Sequence, residues 1–292
     1  MKQNLKNCTF IIPLRIETDD RLRNTILTTA FLLKKFNTNI IIKEVDESSN
    51  FTEYAKPVLD RICPDQSGLK YIFEQSSSDE FHRTKFLNDM ILMSSTKCVV
   101  NYDIDIILPI DSYIQSYDQI ILDEYDVVYP YRFGVHGERK VSFKTDFTTF
   151  NKLNNFENDA ELVNFLDGFN TDSLDSRYFY AQHAQGEGWA EYGMVQFFNR
   201  QVYIDGYLEN EGFIAYAPED VERYHRFNKL EYKIGRIDNH AYHLEHKRTE
   251  NSWYTNPHMS NNFSLWEKLK NLTKEELIDY YQNQNYIKER GL

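Results

Sequence analysis

The chain has 292 residues, enough for one large domain with a substantial core, and its 41% hydrophobic and 15% aromatic content predicts a folded, soluble protein. Its formal net charge is −12 and no Lys/Arg cluster stands out, so nucleic acid is not an expected partner. Three cysteines lack metal-ligand spacing and no apolar run reaches about 18 residues, so we expect reduced, buried thiols, no integral membrane segment and a cytoplasmic location.

Strands and helices alternate over the first hundred residues. Apolar residues recur at helical spacing from Asp19 or Asp20 to Lys35, with acidic residues at the start and lysines at the end, as the helix dipole favours. A second helix is predicted over Arg83 to Ser94. The predicted strands cover Cys8 to Leu14, Asn39 to Val45, Lys70 to Glu74 and Lys97 to Tyr102. This order predicts an α/β fold with a doubly wound, mostly parallel sheet and a nucleotide-sized crevice.

Two aspartates follow directly on the last of these strands. Asp103 and Asp105 are flanked by apolar residues, and Pro109 closes the run. Ligands bind at the carboxyl ends of strands in open α/β sheets, and two carboxylates one residue apart can bind a hard cation or a sugar hydroxyl. A surface turn with solvated aspartates is the alternative that these residues alone leave open.

Beyond the aspartates the pattern of strands and helices is weaker. Helices are predicted over Ile110 to Leu122, Asp159 to Leu166 and Arg200 to Ile204, and strands over Asp126 to Pro130 and Met194 to Phe198. Residues 131–190 otherwise have no sustained period. Neither an internal repeat nor a low-complexity linker divides the chain.

A second charged cluster lies between Glu211 and Arg223. Pro218 suits the first position of a helix, and Glu219 and Asp220 fall in its first turn, where the helix dipole favours carboxylates. A carboxylate at a helix start, next to a tyrosine, could act as a general base toward a sugar hydroxyl. A well-started helix without any catalytic role is the alternative.

Histidines are concentrated in the stretch His240-Ala-Tyr-His-Leu-Glu-His246. In a continuous strand His243 and His246 would point to opposite faces, so joint metal binding requires a turn there. Two neutral imidazoles and one carboxylate make a three-ligand metal site with room for phosphate oxygens. Surface histidines without a ligand are the alternative.

The end of the chain is predicted to be helical. Thr273-Lys-Glu-Glu276 is a capping-box sequence, and the helix that follows could have an apolar face formed by Leu277, Tyr280, Tyr281 and Ile287. We expect residues 1–250 to form one domain and residues 251–292 a C-terminal helical extension packed on it. A helix that binds a partner protein is the alternative.

Five motifs between residues 8 and 246 match, in the same order, those of one enzyme family. Its Pro-Phe-Arg strand end is matched by Ile11-Ile-Pro-Leu-Arg15, and its Phe-Asn-Arg-Ala-Lys-Leu-Leu-Asn helix start by Phe81-His-Arg-Thr-Lys-Phe-Leu-Asn88. Its Asp-Val-Asp-Leu-Ile-Pro is matched by Asp103-Ile-Asp-Ile-Ile-Leu-Pro109. Its Gly-Trp-Gly-Gly-Glu-Asp corresponds to Ala215-Tyr-Ala-Pro-Glu-Asp220, and its Met-x-x-His to His243-x-x-His246. The chain thus resembles GT-A fold glycosyltransferases, most closely the β-1,4-galactosyltransferase group and related bacterial polysaccharide polymerases.

The resemblance implies a metal-dependent, inverting transfer of a hexose, such as galactose or N-acetylgalactosamine, from a UDP-sugar donor to a hydroxyl of a saccharide acceptor. Mn²⁺, with Mg²⁺ as the alternative, would be held by Asp105, His243 and His246 and would take up the charge of the leaving group. The other implied positions are Pro13, Arg15 and Arg83 around the nucleotide, Asp103 near the ribose or donor sugar, Gly193 against the donor, Tyr216 and Glu219 facing the sugars, and Asp220 as the base.

The chain departs from the family pattern in two motifs. In one, Tyr216 stands where the family has a tryptophan and Ala217-Pro218 replaces a glycine pair, so the acceptor recognition of the family does not carry over to this chain. In the other, His243 replaces a methionine, which makes that metal ligand harder. Two other functions are compatible with the same residues. One is a GT-A nucleotidyltransferase or retaining transferase, and the other is a catalytically silent nucleotide-sugar-binding subunit of polysaccharide assembly.

Overall fold

The computed structural model of the chain describes residues 2–131, 140–143, 179–182, 192–239, 241–244, 246–252 and 255–292. Within these ranges, residues 140–143, 179–182, 242, 243 and 252 are described by their backbone alone. The predicted helix from Asp159 to Leu166 lies outside the described residues.

Strands from both halves of the chain form two sheets. In chain order they are β1 (Gln3–Leu14), β2 (Phe36–Asp46), β3 (Leu69–Gln75), β4 (Cys98–Tyr102), β5 (Ile106–Ile107), β6 (Val127–Tyr129), β7 (Lys140–Phe143), β8 (Phe179–Gln182), β9 (Val195–Asn199), β10 (Ile234–Arg236) and β11 (Tyr242–Leu244). The larger sheet has seven strands in the order β10-β6-β9-β4-β1-β2-β3, and the smaller has four in the order β5-β11-β7-β8. In the larger sheet β9 runs antiparallel to both its neighbours, whereas the other adjacent pairs are parallel. The sheet is therefore mixed and mostly parallel.

Helices connect these strands and pack on the sheet. In chain order they are α1 (Asp19–Lys35), α2 (Lys56–Ile62), α3 (Arg83–Met93), α4 (Ile110–Ile121), α5 (Arg200–Asp205), α6 (Glu219–Lys229), α7 (Met259–Lys270), α8 (Lys274–Gln282) and α9 (Asn285–Glu289). A π-helical turn, Phe51–Ala55, precedes α2, and together they fill a stretch that the sequence pattern leaves unassigned.

Helix α1 has the bounds that its sequence predicts. The side chain of Thr18 accepts a hydrogen bond from the N–H of Arg21, which satisfies one of the free donors at the helix start. Acidic residues occupy the first turn and lysines the last, in line with the helix dipole. These local signals explain why both ends of this helix are readable from the sequence.

Strand bounds are less readable where residues are exposed. Strands β1 and β2 begin earlier than predicted, at Gln3 and Phe36, because most of the residues that open them are exposed or half-buried and carry no continuous apolar pattern. At the start of α6, Pro218 is the N-cap residue rather than the first helical residue. The other elements for which the sequence predicts bounds, where the structure describes them, agree to within one or two residues at each end. The sequence pattern does not predict bounds for β5, β7, β8, β10, β11, α2, α7 or α9.

Aromatic residues fill the core where β4 ends. The ring centroids of Phe10 and Tyr102 are 5.4 Å apart, and the hydroxyls of Tyr102 and Tyr113 are 2.6 Å apart in a fully buried contact. The Tyr102 hydroxyl also donates to the carbonyl of Ile106 at 2.6 Å, and the Tyr113 hydroxyl accepts from the N–H of Leu108 at 3.1 Å. The backbone that follows β4 is therefore held from inside the core.

The C-terminal helices contact the rest of the chain through buried side chains. The capping box between Thr273 and Glu276 is present at the start of α8, as predicted. Leu277 and Tyr281 are buried, and the Tyr281 hydroxyl donates to the Glu222 carboxylate on α6 at 2.5 Å. A division into two units at residue 250 stays a prediction.

Candidate functional site

The candidate site is a cleft at the carboxyl ends of β1 and β4. The predicted site residues whose side chains the structure describes lie in its wall: Pro13, Arg15, Arg83, Asp103, Asp105, Gly193, Tyr216, Glu219, Asp220 and His246. Two faces can be distinguished. We call the face formed by Pro13, Asp103, Asp105 and His246 the strand-end wall. The other face, the helix-start wall, is formed by Ala215, Tyr216 and the Glu219–Asp220 pair that opens α6. Ala215 and Tyr216 belong to residues 209–218, here the 209–218 loop.

The strand-end wall begins with the turn after β4. Asp103 follows Tyr102 directly, its N–H donates to the carbonyl of Met194 at 3.0 Å, and its carbonyl accepts from the N–H of Ile106 at 3.2 Å. This turn is the backbone that Tyr102 and Tyr113 hold from below. The two aspartates consequently project from a fixed turn at the sheet edge where ligands bind in open α/β sheets.

Asp105 and His246 meet in the cleft. Asp105 Oδ2 lies 2.8 Å from His246 Nε2, and His246 Nδ1 lies 3.0 Å from the carbonyl oxygen of Lys247. A carbonyl can only accept, so in the neutral imidazole Nδ1 carries the hydrogen and Nε2 directs its lone pair at Asp105. A lone pair and a carboxylate oxygen repel each other at this distance. The contact is therefore stable only with a proton or a cation between the two groups. One carboxylate and one imidazole oriented by a second hydrogen bond suit a divalent metal such as Mn²⁺.

His243 approaches the same place through its backbone. It pairs with Ile106 across the antiparallel β5–β11 ladder, and the N–H of the next residue, Leu244, donates to the Asp105 carbonyl at 2.7 Å. Strand β11 ends at Leu244, so His246 lies beyond the strand. Among the side chains that the structure describes, no three His, Cys, Asp or Glu residues form a metal-binding group. His243 as a third ligand stays a prediction.

The segment after β11 is fixed to the start of α1. The N–H of Lys247 donates to Asp20 Oδ2 at 3.1 Å, and Thr249 and Asn251 both donate to the Glu17 carboxylate, at 2.6 and 3.0 Å. These contacts join residues more than two hundred positions apart. They hold the backbone that carries His246 against the strand-end wall.

The helix-start wall carries two adjacent carboxylates. Glu219 and Asp220 are the first two residues of α6, and Asp220 Oδ1 accepts from the N–H of Val221 at 2.8 Å. Arg83 connects the two walls, because its Nη2 lies 2.6 Å from Asp103 Oδ1 and its Nη1 lies 3.6 Å from Glu219 Oε1. The cleft therefore has carboxylates on both sides with one guanidinium between them.

Burial shifts the protonation of these groups. Burial, followed by the charge of Asp220, raises the pKa of Glu219 to about 7, while Arg83 opposes the shift. Burial also raises the pKa of Asp220, although Arg223 and the N–H of Val221 act in the opposite direction. Burial lowers the pKa of the Arg83 guanidinium, but the carboxylates of Asp103 and Glu219 outweigh it and raise that pKa overall. Paired carboxyls with raised pKa values are typical of acid–base sites.

Gly193 leaves room for the Asp220 carboxylate. A Cβ atom built on Gly193 would lie 2.8 Å from Asp220 Oδ2, closer than real side chains approach. The carbonyl of Gly193 accepts hydrogen bonds from Tyr131 and Gln196, which fixes this backbone just before β9. A glycine is thus needed here for the close approach of Asp220.

The Arg15 guanidinium donates hydrogen bonds to three backbone carbonyls. It donates to Val45 at 2.9 Å and to Ser78 and Asp79 at 3.0 Å, and it lies over the ring of Phe81 at 5.4 Å from the centroid. The side chain therefore holds residues 78–81 as part of the cleft wall. Its predicted place around a nucleotide stays a prediction.

Several cleft residues are not among those predicted. They are Glu17, Arg21, Phe81, Ile104, Ala215, Arg223, Arg248 and Asn251. Arg223 follows Asp220 by three residues on α6, a spacing that brings side chains together on a helix and could have pointed to it. Arg248 and Asn251 follow His246 closely but carry no periodic signal. Glu17 and Arg21 join the cleft through the packing of α1, which no local pattern reveals.

No protein-family model and no curated protein matches the sequence. Among solved structures, TarS 1–349 from S. aureus in complex with UDP-GlcNAc is similar with a TM-score of 0.53 at 11% identity, over 95% of this chain and 69% of that chain. The mannosyltransferase PcManGT from Pyrobaculum calidifontis, in complex with GDP-Man and Mn²⁺, gives 0.47 at 12% identity over 82% and 56%. The catalytic domain of Drosophila β1,4-galactosyltransferase 7, in complex with xylobiose, gives 0.41 at 12% identity over 78% and 63%.

The similarity to TarS establishes the fold. This chain has the α/β fold of GT-A glycosyltransferases, with a mixed, mostly parallel seven-stranded sheet, and the predicted fold class is confirmed. The chain spans less than two thirds of the length of the mannosyltransferase and of the galactosyltransferase, at 56% and 63%. In the part of the chain that the structure describes, no helix is both long and apolar enough to cross a membrane.

Proposed function

We propose that the chain is a metal-dependent, inverting glycosyltransferase that moves a hexose, such as galactose or N-acetylgalactosamine, from a UDP-sugar to a hydroxyl of a saccharide. The observation that carries the proposal is the pairing of two sites across one cleft. The strand-end wall has the contact between Asp105 and His246, and the helix-start wall has the half-buried Glu219–Asp220 pair. Transfer at an anomeric carbon needs phosphate stabilisation on one side and a base on the other.

The strand-end wall would hold the donor diphosphate. Asp105 and His246, together with His243, would bind Mn²⁺, with Mg²⁺ as the alternative, and the cation would neutralise the charge that develops on the leaving diphosphate. Pro13 and Arg15 would lie around the nucleotide. Support comes from the oriented imidazole, whose Nδ1 is directed at the Lys247 carbonyl and whose Nε2 is directed at Asp105.

Arg83 and Asp103 would bind the next part of the donor. Support comes from the 2.6 Å contact between Arg83 and Asp103, a guanidinium and a carboxylate that would lie between the metal ligands and the base. Arg83 remains charged beside its two carboxylates and can face a phosphate, while Asp103 can accept a hydrogen bond from a ribose or sugar hydroxyl. Gly193 would let the donor lie close to the backbone.

Asp220 would act as the general base. The acceptor hydroxyl would give its proton to the Asp220 carboxylate while its oxygen forms the bond to the anomeric carbon, and the bond from that carbon to the diphosphate oxygen would break. Tyr216 and Glu219 would face the sugars. One displacement of this kind inverts the anomeric configuration, and UDP leaves with the electron pair of the broken bond.

Release of UDP tests this proposal. The full chain is incubated with UDP-galactose, UDP-N-acetylgalactosamine and related UDP-sugars, with Mn²⁺ or with a chelator, and with saccharide acceptors. We expect Mn²⁺-dependent UDP release from at least one donor, accelerated by an acceptor, with inversion detected by NMR of the product. Binding of UDP and Mn²⁺ without release from any donor would identify a catalytically silent binding subunit instead. A product that retains the donor configuration would contradict the single displacement.

A further inference from the structure

The 209–218 loop has a backbone that its own sequence does not favour. Ala215 has a φ of 60° and Ala217 a φ of 49°, both in the left-handed region that residues with a Cβ rarely adopt. The loop between α5 and α6 contains neither helix nor strand. Contacts from outside must therefore hold Tyr216, which stands between these two alanines.

Asn262 on α7 supplies most of those contacts. It is 1% exposed, and its Nδ2 donates to the carbonyls of Ile214, Ala217 and Tyr216 at 2.8, 3.0 and 3.3 Å. Its Oδ1 accepts from the N–H of Ile214 at 3.3 Å. One buried amide thus binds the backbone on both sides of Ala215 and Tyr216.

Other residues of the C-terminal part of the chain bind the same loop. Asn256 donates to the carbonyls of Ile214 and Tyr216, both at 3.2 Å. Further along, Arg290 lies 2.7 Å from the Glu211 carboxylate, and the hydroxyl of Tyr281 accepts from Asn210 at 3.0 Å. Residues 256–290 therefore bind this loop from Asn210 to Ala217.

The loop leads directly into the carboxylate pair. Tyr216 lines the cleft, and two residues separate it from Glu219, where α6 begins. The direction of the first turn of α6 depends on the backbone of Ala217 and Pro218, and the Ala217 carbonyl is one of the groups that Asn262 binds. A change at Asn262 would consequently move Tyr216 and the carboxylates together.

We propose that Asn262 is a positioning residue for the reaction, and that the C-terminal helices complete the site by fixing the 209–218 loop. The inference rests on the proposed function, in which Tyr216 and Glu219 face the sugars and Asp220 is the base. It assigns residues outside the family motifs to the sugar-facing side of the cleft. The strand-end wall, which would bind UDP and Mn²⁺, should not depend on Asn262.

Asn262→Ala tests this inference, with Asn261→Ala as the control because Asn261 is its exposed neighbour on the same helix. Two quantities are compared in the full-length proteins: kcat for UDP release, and the affinity for UDP in the presence of Mn²⁺ from calorimetry. We expect Asn262→Ala to lower kcat by about 10- to 100-fold, since small displacements of reacting groups have effects of this size, and to change UDP affinity less than about twofold. Asn261→Ala should match the parent in both.

Hydrogen exchange tests the same inference without activity. Peptides covering residues 213–221 should exchange at least about tenfold faster in Asn262→Ala, while peptides covering β4 stay unchanged. Asn256→Ala removes only two hydrogen bonds to the same loop, so it should increase exchange in the same peptides by a smaller factor. This variant replaces Asn262→Ala if Asn262→Ala does not fold. Unchanged exchange over 213–221 would overturn the inference, and so would a parallel loss of kcat and UDP affinity. Absence of UDP release by the parent would refute the proposed function alone, because the exchange result still decides whether Asn262 fixes the loop.

Discussion

The two walls of the cleft are built in different ways. In the strand-end wall, Asp103 and Asp105 follow β4 within three residues and sit on a turn that core tyrosines hold from below. In the helix-start wall, the 209–218 loop has left-handed backbone at two alanines and is bound by side chains of α3 and of residues 256–290. The aspartates of the first wall extend a strand of the sheet, whereas the loop of the second has no helix or strand of its own and is held by side chains from elsewhere in the chain.

This difference suggests how one fold can separate two tasks. A sheet edge varies little in position, so it suits phosphate and metal binding, which need a fixed geometry. A loop bound by side chains of the C-terminal helices and the residues that flank them can change in position when those residues change. We therefore expect substitutions in the strand-end wall to affect nucleotide binding, and those in the helix-start wall to affect turnover.

The largest expected effect is in the strand-end wall. Asp105→Ala removes the carboxylate that faces His246 Nε2, so Mn²⁺ should no longer increase the affinity for UDP. Isothermal titration calorimetry of UDP with and without Mn²⁺ measures this directly. Asp111→Ala, an exposed aspartate in the first turn of α4, is the control and should bind like the parent. If Asp105→Ala keeps the full Mn²⁺ effect, the metal site lies elsewhere.

Gly193→Ala should act on turnover instead. The added Cβ would lie 2.8 Å from Asp220 Oδ2 and displace that carboxylate. We expect kcat to fall by about 10- to 100-fold, the size of effect known for displaced catalytic groups, with UDP affinity close to that of the parent. Steady-state kinetics and calorimetry on the same preparation separate the two. Equal losses of kcat and UDP affinity would place Gly193 in nucleotide binding rather than beside the base.

A smaller effect should appear in the pH dependence of stability. The pKa of Glu219 is about 7 in the folded chain and 4.5 for an ordinary glutamate, so the folded state binds the proton more tightly. The stabilisation from that proton is complete below about pH 4.5 and is lost as the pH rises through 7. Glu219→Gln removes the carboxylate charge. The substitution should raise Tm by about 3 °C at pH 8 and change it little at pH 5. Melting curves of the metal-free proteins at both pH values check this, and a lower Tm of the variant at pH 8 would contradict the burial of an ionised Glu219.

Much of the strand-end wall could be predicted because its signals are local. A continuous apolar run marks β4, and two aspartates at its end stand out within a window of a few residues. The same holds for α1, whose cap and end charges mark both termini. Exposed strand ends, such as the first residues of β1, carry no such signal, so the sequence predicts a later start for these strands than the structure shows.

The geometry of the helix-start wall could not be predicted in the same way. The sequence pattern predicts that Glu219 and Asp220 lie in the first turn of a helix. The direction of that turn, however, depends on the loop backbone that Asn262 binds, and Asn262 lies 48 residues beyond Ile214. No periodic pattern links positions that far apart. Arg83 likewise meets Glu219 only in the folded chain.

The most direct test of the account is the comparison of Asp220→Asn with Glu219→Gln. Neighbours in a helical turn project about 100° apart, so only one of the two can face the anomeric carbon. Asp220→Asn keeps the size of the side chain while removing its basicity, and kcat should fall by about 10²- to 10⁴-fold with UDP and Mn²⁺ affinity unchanged. Glu219→Gln should retain more turnover than Asp220→Asn. Near-parental turnover in Asp220→Asn would contradict the assignment of the base, and normal turnover in both variants would contradict the inverting mechanism itself.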